Sequence, residues 1–113
     1  MMGHPAARAI VALLLAAAAG LASGCAAPTL PLPPPQVEPL EAPDGEGLVT
    51  VRGTVHELAL VMVLNEDLEE GVIATADEGG AFEVRIAAES GHTITVWQRR
   101  GTDESPPVGQ TVP

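Results

Sequence analysis

The chain contains no lysine: its five basic residues are all arginine, set against fifteen aspartates and glutamates in 113 residues. Arg8 lies in the N-terminal segment, so only Arg52, Arg85, Arg99 and Arg100 face those fifteen acids in the remainder, for a net charge of −11 beyond residue 24. A surface of that sign repels phosphate backbones and anionic headgroups, which excludes nucleic acid as a partner and adhesion of the domain itself to acidic lipid. Tyrosine is absent too, and the aromatic residues are Phe82 and Trp97 alone. The core must therefore be small and built from aliphatic side chains; a domain of about 60 residues buries only roughly 60% of the surface its unfolded chain exposes. A single cysteine, Cys25, excludes an internal disulfide and needs another explanation.

Its position supplies one. Met1 to Arg8 carries one positive charge, Ala9 to Ala22 is mostly apolar, and Ser23-Gly24-Cys25 follows. That order matches the charged, apolar and small-residue regions of an export signal. The stretch resembles the signal peptide and lipobox of bacterial lipoproteins. Ser23 and Gly24 fit the two positions before the invariant cysteine, while Ala22 stands where that family usually has leucine. The resemblance implies that Cys25 receives a diacylglyceryl group on sulfur and that residues 1–24 are removed. It further implies that Ala26, rather than aspartate, directs the protein to the outer membrane of a double-membraned cell. The alternatives are an export signal cut without lipid, and an uncleaved membrane helix from the charge-free Ala9–Ala27.

From Pro28 to Gly47 the sequence PTLPLPPPQVEPLEAPDGEG has no apolar period. Proline lacks an amide donor and fixes φ, so an extended polyproline-type stalk is expected, with a linker assigned to residues 25–47. At about 3.1 Å per residue its nineteen-odd residues would hold a domain up to ~60 Å from the bilayer. A PxxP ligand for a partner domain is the rival reading.

Period two takes over from Leu48. Val49, Val51 and Val55 alternate with Thr50, Arg52 and Thr54, with Gly53 marking a bulge or a close approach. Leu58 to Leu64 is apolar on both faces, as in a central or interfacial strand. Shorter strands are predicted at Val72–Ala76, Phe82–Ile86 and His92–Gln98, with an edge strand at Val108–Val112. Asp77–Gly80 and Ser90-Gly91 are turns, and Arg99–Ser105 is a polar loop. Short strands spaced near ten residues, without a helical segment, predict an all-β domain over residues 48–113: a small antiparallel β-sandwich or barrel. The succession GTV, TADEGGAFEV and GHTITVW resembles the carboxypeptidase regulatory-like and related transthyretin-like, Ig-type domains. That resemblance implies a sandwich architecture and no particular chemistry.

Candidate sites are few. Asp67, Glu69 and Glu70 in the acidic loop after Asn65 are the available ligands for a hard cation such as calcium, without the D-x-D-x-D-G spacing that wraps one ion. His56 and His92 fall on separate strands, and Ser90 is too near His92 along one strand to form a nucleophile–base pair. No general acid and base can be paired, so neither catalysis nor a cofactor is expected. Trp97, followed by Arg99 and Arg100, is the candidate partner contact, since an aromatic beside guanidiniums anchors protein or sugar ligands. The expectation is a lipid-anchored envelope protein without enzymatic activity, meeting a protein partner or, alternatively, a glycan or cell-wall polymer.

Overall fold

Strand propensity and alternation dictate two sheets, and the structure, a computed structural model, shows them within residues 30–113, the residues it describes. The segment read as an export signal, with Ala22, Ser23, Gly24 and Cys25, lies outside the described residues. Eight strands follow in order: β1 (Gln36–Val37), β2 (Leu48–Thr54), β3 (Leu60–Asn65), β4 (Glu70–Thr75), β5 (Ala81–Ala87), β6 (Thr93–Arg100), β7 (Asp103–Glu104) and β8 (Val108–Thr111). All pairings are antiparallel. Sheet A has the order β1-β2-β5; sheet B has the order β4-β3-β6, with β7 and β8 both pairing with the far side of β6. Among the described residues no helix occurs, and the expected all-β sandwich is what the chain forms.

The alternation in sequence becomes the two faces of each sheet. Sheet A sends Val49, Val51, Phe82, Val84 and Ile86 inward; sheet B sends Val61, Val63, Ile94 and Val96 to meet them. Val112, Ala76 and Ala88 close the ends of this core. With one phenylalanine and no other aromatic inside, packing rests on β-branched side chains, whose stiff χ1 suits a pleated surface.

Gly53 is a point of close approach, and the uninterrupted register from Leu48↔Ala87 to Thr54↔Ala81 leaves no bulge there. A Cβ at Gly53 would run into the Gln36 carbonyl and the Phe82 ring, so only glycine lets β1 lie against β2. Gly80, at φ 82°, closes the Asp77–Gly80 turn against the Val55 carbonyl in the same way.

Two expectations need correction. The first concerns the linker assigned to residues 25–47, whose later part belongs to the sandwich. Pro35 and Leu40 are buried, Leu40 at 8% exposure in the hydrophobic core, and Gln36–Val37 pairs with Thr54 and Gly53. Proline forbids a central strand but not an edge strap, and several of the strap's remaining amides and carbonyls find partners. Glu38 N–H donates to the Arg52 carbonyl at 2.8 Å and Leu40 N–H to Gln110 Oε1 at 3.0 Å. The second concerns Arg99–Ser105, expected as a loop. β6 runs on to Arg100 and turns back at Gly101, φ 60°, so that Arg99 faces Glu104 and Arg100 faces Asp103.

The apolar run Leu58–Leu64 is likewise divided. Leu58, with a left-handed φ of 57°, and Ala59 form the turn into β3, and only Leu60–Asn65 is strand. β3 is indeed central in sheet B, between β4 and β6.

Candidate interaction face

Three inward-facing polar side chains organise the fold around the outer faces, and none stood out in the sequence. Asn65 is fully buried at the end of β3. Its Nδ2 donates to the Ala87 carbonyl at 2.9 Å and to His92 Nδ1 at 3.0 Å, while its Oδ1 accepts from the amides of Asp67 at 3.0 Å and Leu68 at 3.2 Å. It thereby ties the two sheets together and shapes the acidic loop. Gln98, 1% exposed, donates through Nε2 to the Pro33 carbonyl at 2.6 Å and accepts from His56 N–H at 2.8 Å. Gln110 Nε2 faces the Val37 and Glu38 carbonyls at 3.3 and 3.2 Å, and its Oε1 takes the Leu40 amide. Two glutamines thus hold the strap across the flank of the sandwich. Period two held the signal for the first two: Asn65 continues the inward series of Val61 and Val63, and Gln98 that of Ile94 and Val96.

The acidic loop is spoken for by its own folding. Asp67 Oδ2 accepts the Thr93 amide at 2.7 Å, Glu69 adopts a left-handed φ of 54°, and Glu70 opens β4 opposite Asn65. Asp67, Glu69 and Glu70 are not brought together as ligands; among the described residues no three His, Cys, Asp or Glu side chains could hold one metal ion. His92 Nδ1 accepts from Asn65 and, at 3.2 Å, from the Glu89 amide, which places the ring in the fold's framework.

The two outer faces differ sharply in charge. Sheet A presents Arg52, Glu83 and Arg85 along β2 and β5, with Arg52 paired to Glu83 at 3.2 Å and Arg85 to Asp44 and Glu46. Asp44 also accepts the amides of Leu48 and Glu46; these bonds, led by that from Leu48 and joined by the Arg85 guanidinium, hold its carboxyl below the usual carboxylate range. Arg52 and Arg85 are correspondingly raised by hydrogen bonds to Glu83 and Asp44. An open groove of about 650 Å³ is lined by Arg52, Glu83, Phe82, Gln36 and Asp77 among others.

Sheet B presents almost no charge. The register puts Ile73, Met62 and Trp97 side by side across β4, β3 and β6, with Leu60 and Leu64 above and below Met62. Ile73 is 69% and Leu60 41% exposed; Met62, Leu64 and Trp97 are half-buried. Thr75, Thr93, Thr95, Thr111, Gly71 and Gly109 fill the rest of this face, and its only charged residues are Arg99 and the opposing Glu104. Trp97 therefore sits where the sequence reading put it, opposite Ile94 and Val96 and outside the core. Arg99 shares its face, and its Nε donates to the Gly101 carbonyl at 3.1 Å. Arg100 points the other way along the strand and meets His56 Nε2 at 3.1 Å, so Trp97, Arg99 and Arg100 do not form one cluster. His56 accepts there, and its Nδ1 lies 3.1 Å from the Glu57 carbonyl, which assigns the Nδ1–H tautomer.

No family model matches the chain, and no curated protein matches it. The described domain is thus defined by its own geometry: a small two-sheet antiparallel sandwich with one salt-bridged face and one neutral, apolar-centred face.

Proposed function

We propose that the protein is a lipid-anchored envelope protein that uses the outer face of sheet B to bind a partner protein, without catalysing a reaction. One observation carries the reading. A domain with fifteen carboxylates leaves one broad sheet face with a single one, Glu104, and centres that face on Ile73, Met62 and Trp97. Exclusion of charge from the middle of a patch, with tryptophan, methionine and arginine present, is the composition of an interface centre. The location follows from the resemblance of residues 1–25 to a lipoprotein signal. Seven residues lie between Cys25 and the strap's first hydrogen-bonded residue, Pro33, so the eight steps of chain reach ~25 Å at about 3.1 Å per residue. That is less than half of what a stalk running to Gly47 would give.

The test is crosslinking in native membranes with the full chain, wild type against Trp97→Ala. Loss of one discrete adduct in the variant, with surface charge and strand content unchanged, supports the face; identical adducts overturn it. Labelling with an alkyne-bearing fatty acid that disappears in Cys25→Ala tests the anchor, and an unlabelled cysteine overturns that part. A second reading is favoured by Thr95, two residues before Trp97 on the same face, and by Gly109 opposite Thr95, where a Cβ would meet open space, since hydroxyls and a bare backbone beside an indole suit a sugar ring. Retention on cell-wall polymer that is lost in Trp97→Ala would shift the assignment to a glycan.

A further inference from the structure

Each free edge of a β-sheet is a row of unpaired backbone donors and acceptors that will template another strand unless something blunts it. Three of the four flanks of this sandwich are blunted. The β2 flank of sheet A is covered by β1 and the strap. β8 follows Pro106-Pro107, precedes Pro113, and has Gln110 tied to the strap. β5, the other edge of sheet A, carries Glu83 and Arg85 in its middle, both engaged in ion pairs.

β4 has none of these devices. Among the described residues it pairs only with β3, in unbroken register from Leu60↔Thr75 to Asn65↔Glu70. Its body, Gly71 to Thr75, contains no proline, no charge and no bulge, and its centre is the most exposed large apolar residue of the sandwich, Ile73. Carboxylates bracket it instead: Glu69 and Glu70 before, Asp77 and Glu78 after.

The bracketing selects the occupant. A second copy pairing antiparallel through Ile73 would set Glu69 opposite Asp77, and Leu68 opposite Glu78, twice by symmetry, in two chains that each carry a net −10. Like charges directly opposite destabilise a strand pair, so the edge is guarded against itself. The same carboxylates attract a strand with basic ends. We infer that the β4 edge is a strand-addition site for a partner-protein segment with a neutral, alternating body of about five residues and arginine or lysine at both ends. Main-chain hydrogen bonds supply its affinity and the flanking charges its selectivity. The added strand would also widen the neutral face by one row beside Ile73. This deepens the reading of sheet B as the docking sheet, and rests on it in taking sheet B as the side that meets the partner.

The probe is a synthetic peptide with an alternating threonine–valine body and two arginines at each end, added to the full chain in detergent. Slowed amide exchange confined to residues 70–75 and binding weakened at least tenfold between about 50 and 500 mM salt are expected. An otherwise identical peptide with glutamate ends should bind at least tenfold more weakly. In the exposed double variant Glu70→Lys/Glu78→Lys that preference should reverse. Protection appearing at β5 instead, equal binding of both peptides, or an unaltered preference in the double variant each overturns the inference. If the peptide fails while Trp97-dependent crosslinks persist, the edge falls and the face stands; if the peptide protects β4 while crosslinks ignore Trp97, the face falls and the edge stands.

Discussion

Gln98 is the residue on which most distant parts of the chain converge. Its side chain joins Pro33, on the strap, to His56, in the turn between β2 and β3, and its backbone N–H donates to Ser105 Oγ at 3.0 Å. Burying an amide is worthwhile only when both ends are bonded, and removing it strands two backbone groups that had given up water. Gln98→Ala and the nearly isosteric Gln98→Met should therefore cost a similar ~1–3 kcal/mol in urea unfolding, because the lost hydrogen bonds dominate over the lost volume. A Met variant as stable as wild type would show that packing alone holds the strap. Gly53 makes a complementary case of space rather than polarity. Gly53→Ala places a methyl against the Gln36 carbonyl and Phe82, and should cost ~1–3 kcal/mol while detaching β1. Faster amide exchange at residues 36–38, with β5 unaffected, is the expected signature.

At the scale of elements, the strands that follow period two were legible and the strap was not. β5 shows the rule at its clearest: Phe82, Val84 and Ile86 alternate with Glu83 and Arg85, and the structure buries the first set and exposes the second. β6 was legible for the same reason, and so was the outward position of Trp97, whereas β3 was legible as a run apolar on both faces, with its start at Leu60 rather than Leu58. The strap escaped because its contributions are single residues, Pro35, Val37 and Leu40, spaced without period among prolines. Several of its bonds, moreover, come from Gln98 and Gln110, 65 to 73 positions away. Proline content correctly forbids a sheet interior, yet it says nothing against an edge that needs few donors. The neutrality of the outer face of sheet B was equally hidden, since it depends on register: β4, β3 and β6 must align before Ile73, Met62 and Trp97 become neighbours. Leu40 separates strap from stalk experimentally. It is 8% exposed and its amide bonds to Gln110 Oε1, so Leu40→Ala should cost about 2–4 kcal/mol, and the Leu40 amide should exchange as slowly as those of β2. Exchange at the rate of free peptide, with no loss on truncation, would restore the stalk through Gly47.

At the scale of the whole molecule, two charge effects act in opposite directions as the solution is acidified. Protonating the surplus carboxylates reduces the self-repulsion of a net charge of −10 and favours the compact state. Asp44 works against that. Its carboxylate accepts the Leu48 and Glu46 amides and the Arg85 guanidinium, and its folded pKa lies below the unfolded one. A depressed carboxylate contributes stability that is fully present above the unfolded value, about 3.9, and is lost as pH falls from there through the folded value. Asp44→Asn keeps an oxygen for the two amides but removes the charge that meets Arg85. The variant should accordingly be less stable than wild type at neutral pH, and the gap should narrow as pH drops below about 4, where the wild-type carboxylate also becomes neutral. Thermal unfolding of the two full chains, followed from pH 7 to pH 2 at fixed ionic strength, reads the difference directly. General relief of repulsion is common to both proteins and cancels in the comparison, so what remains belongs to the Asp44 site. A gap that stayed constant or widened on acidification would mean that the turn at Asp44–Leu48 is held by its backbone geometry, and that the Arg85 ion pair on the outer face of sheet A adds nothing to the fold.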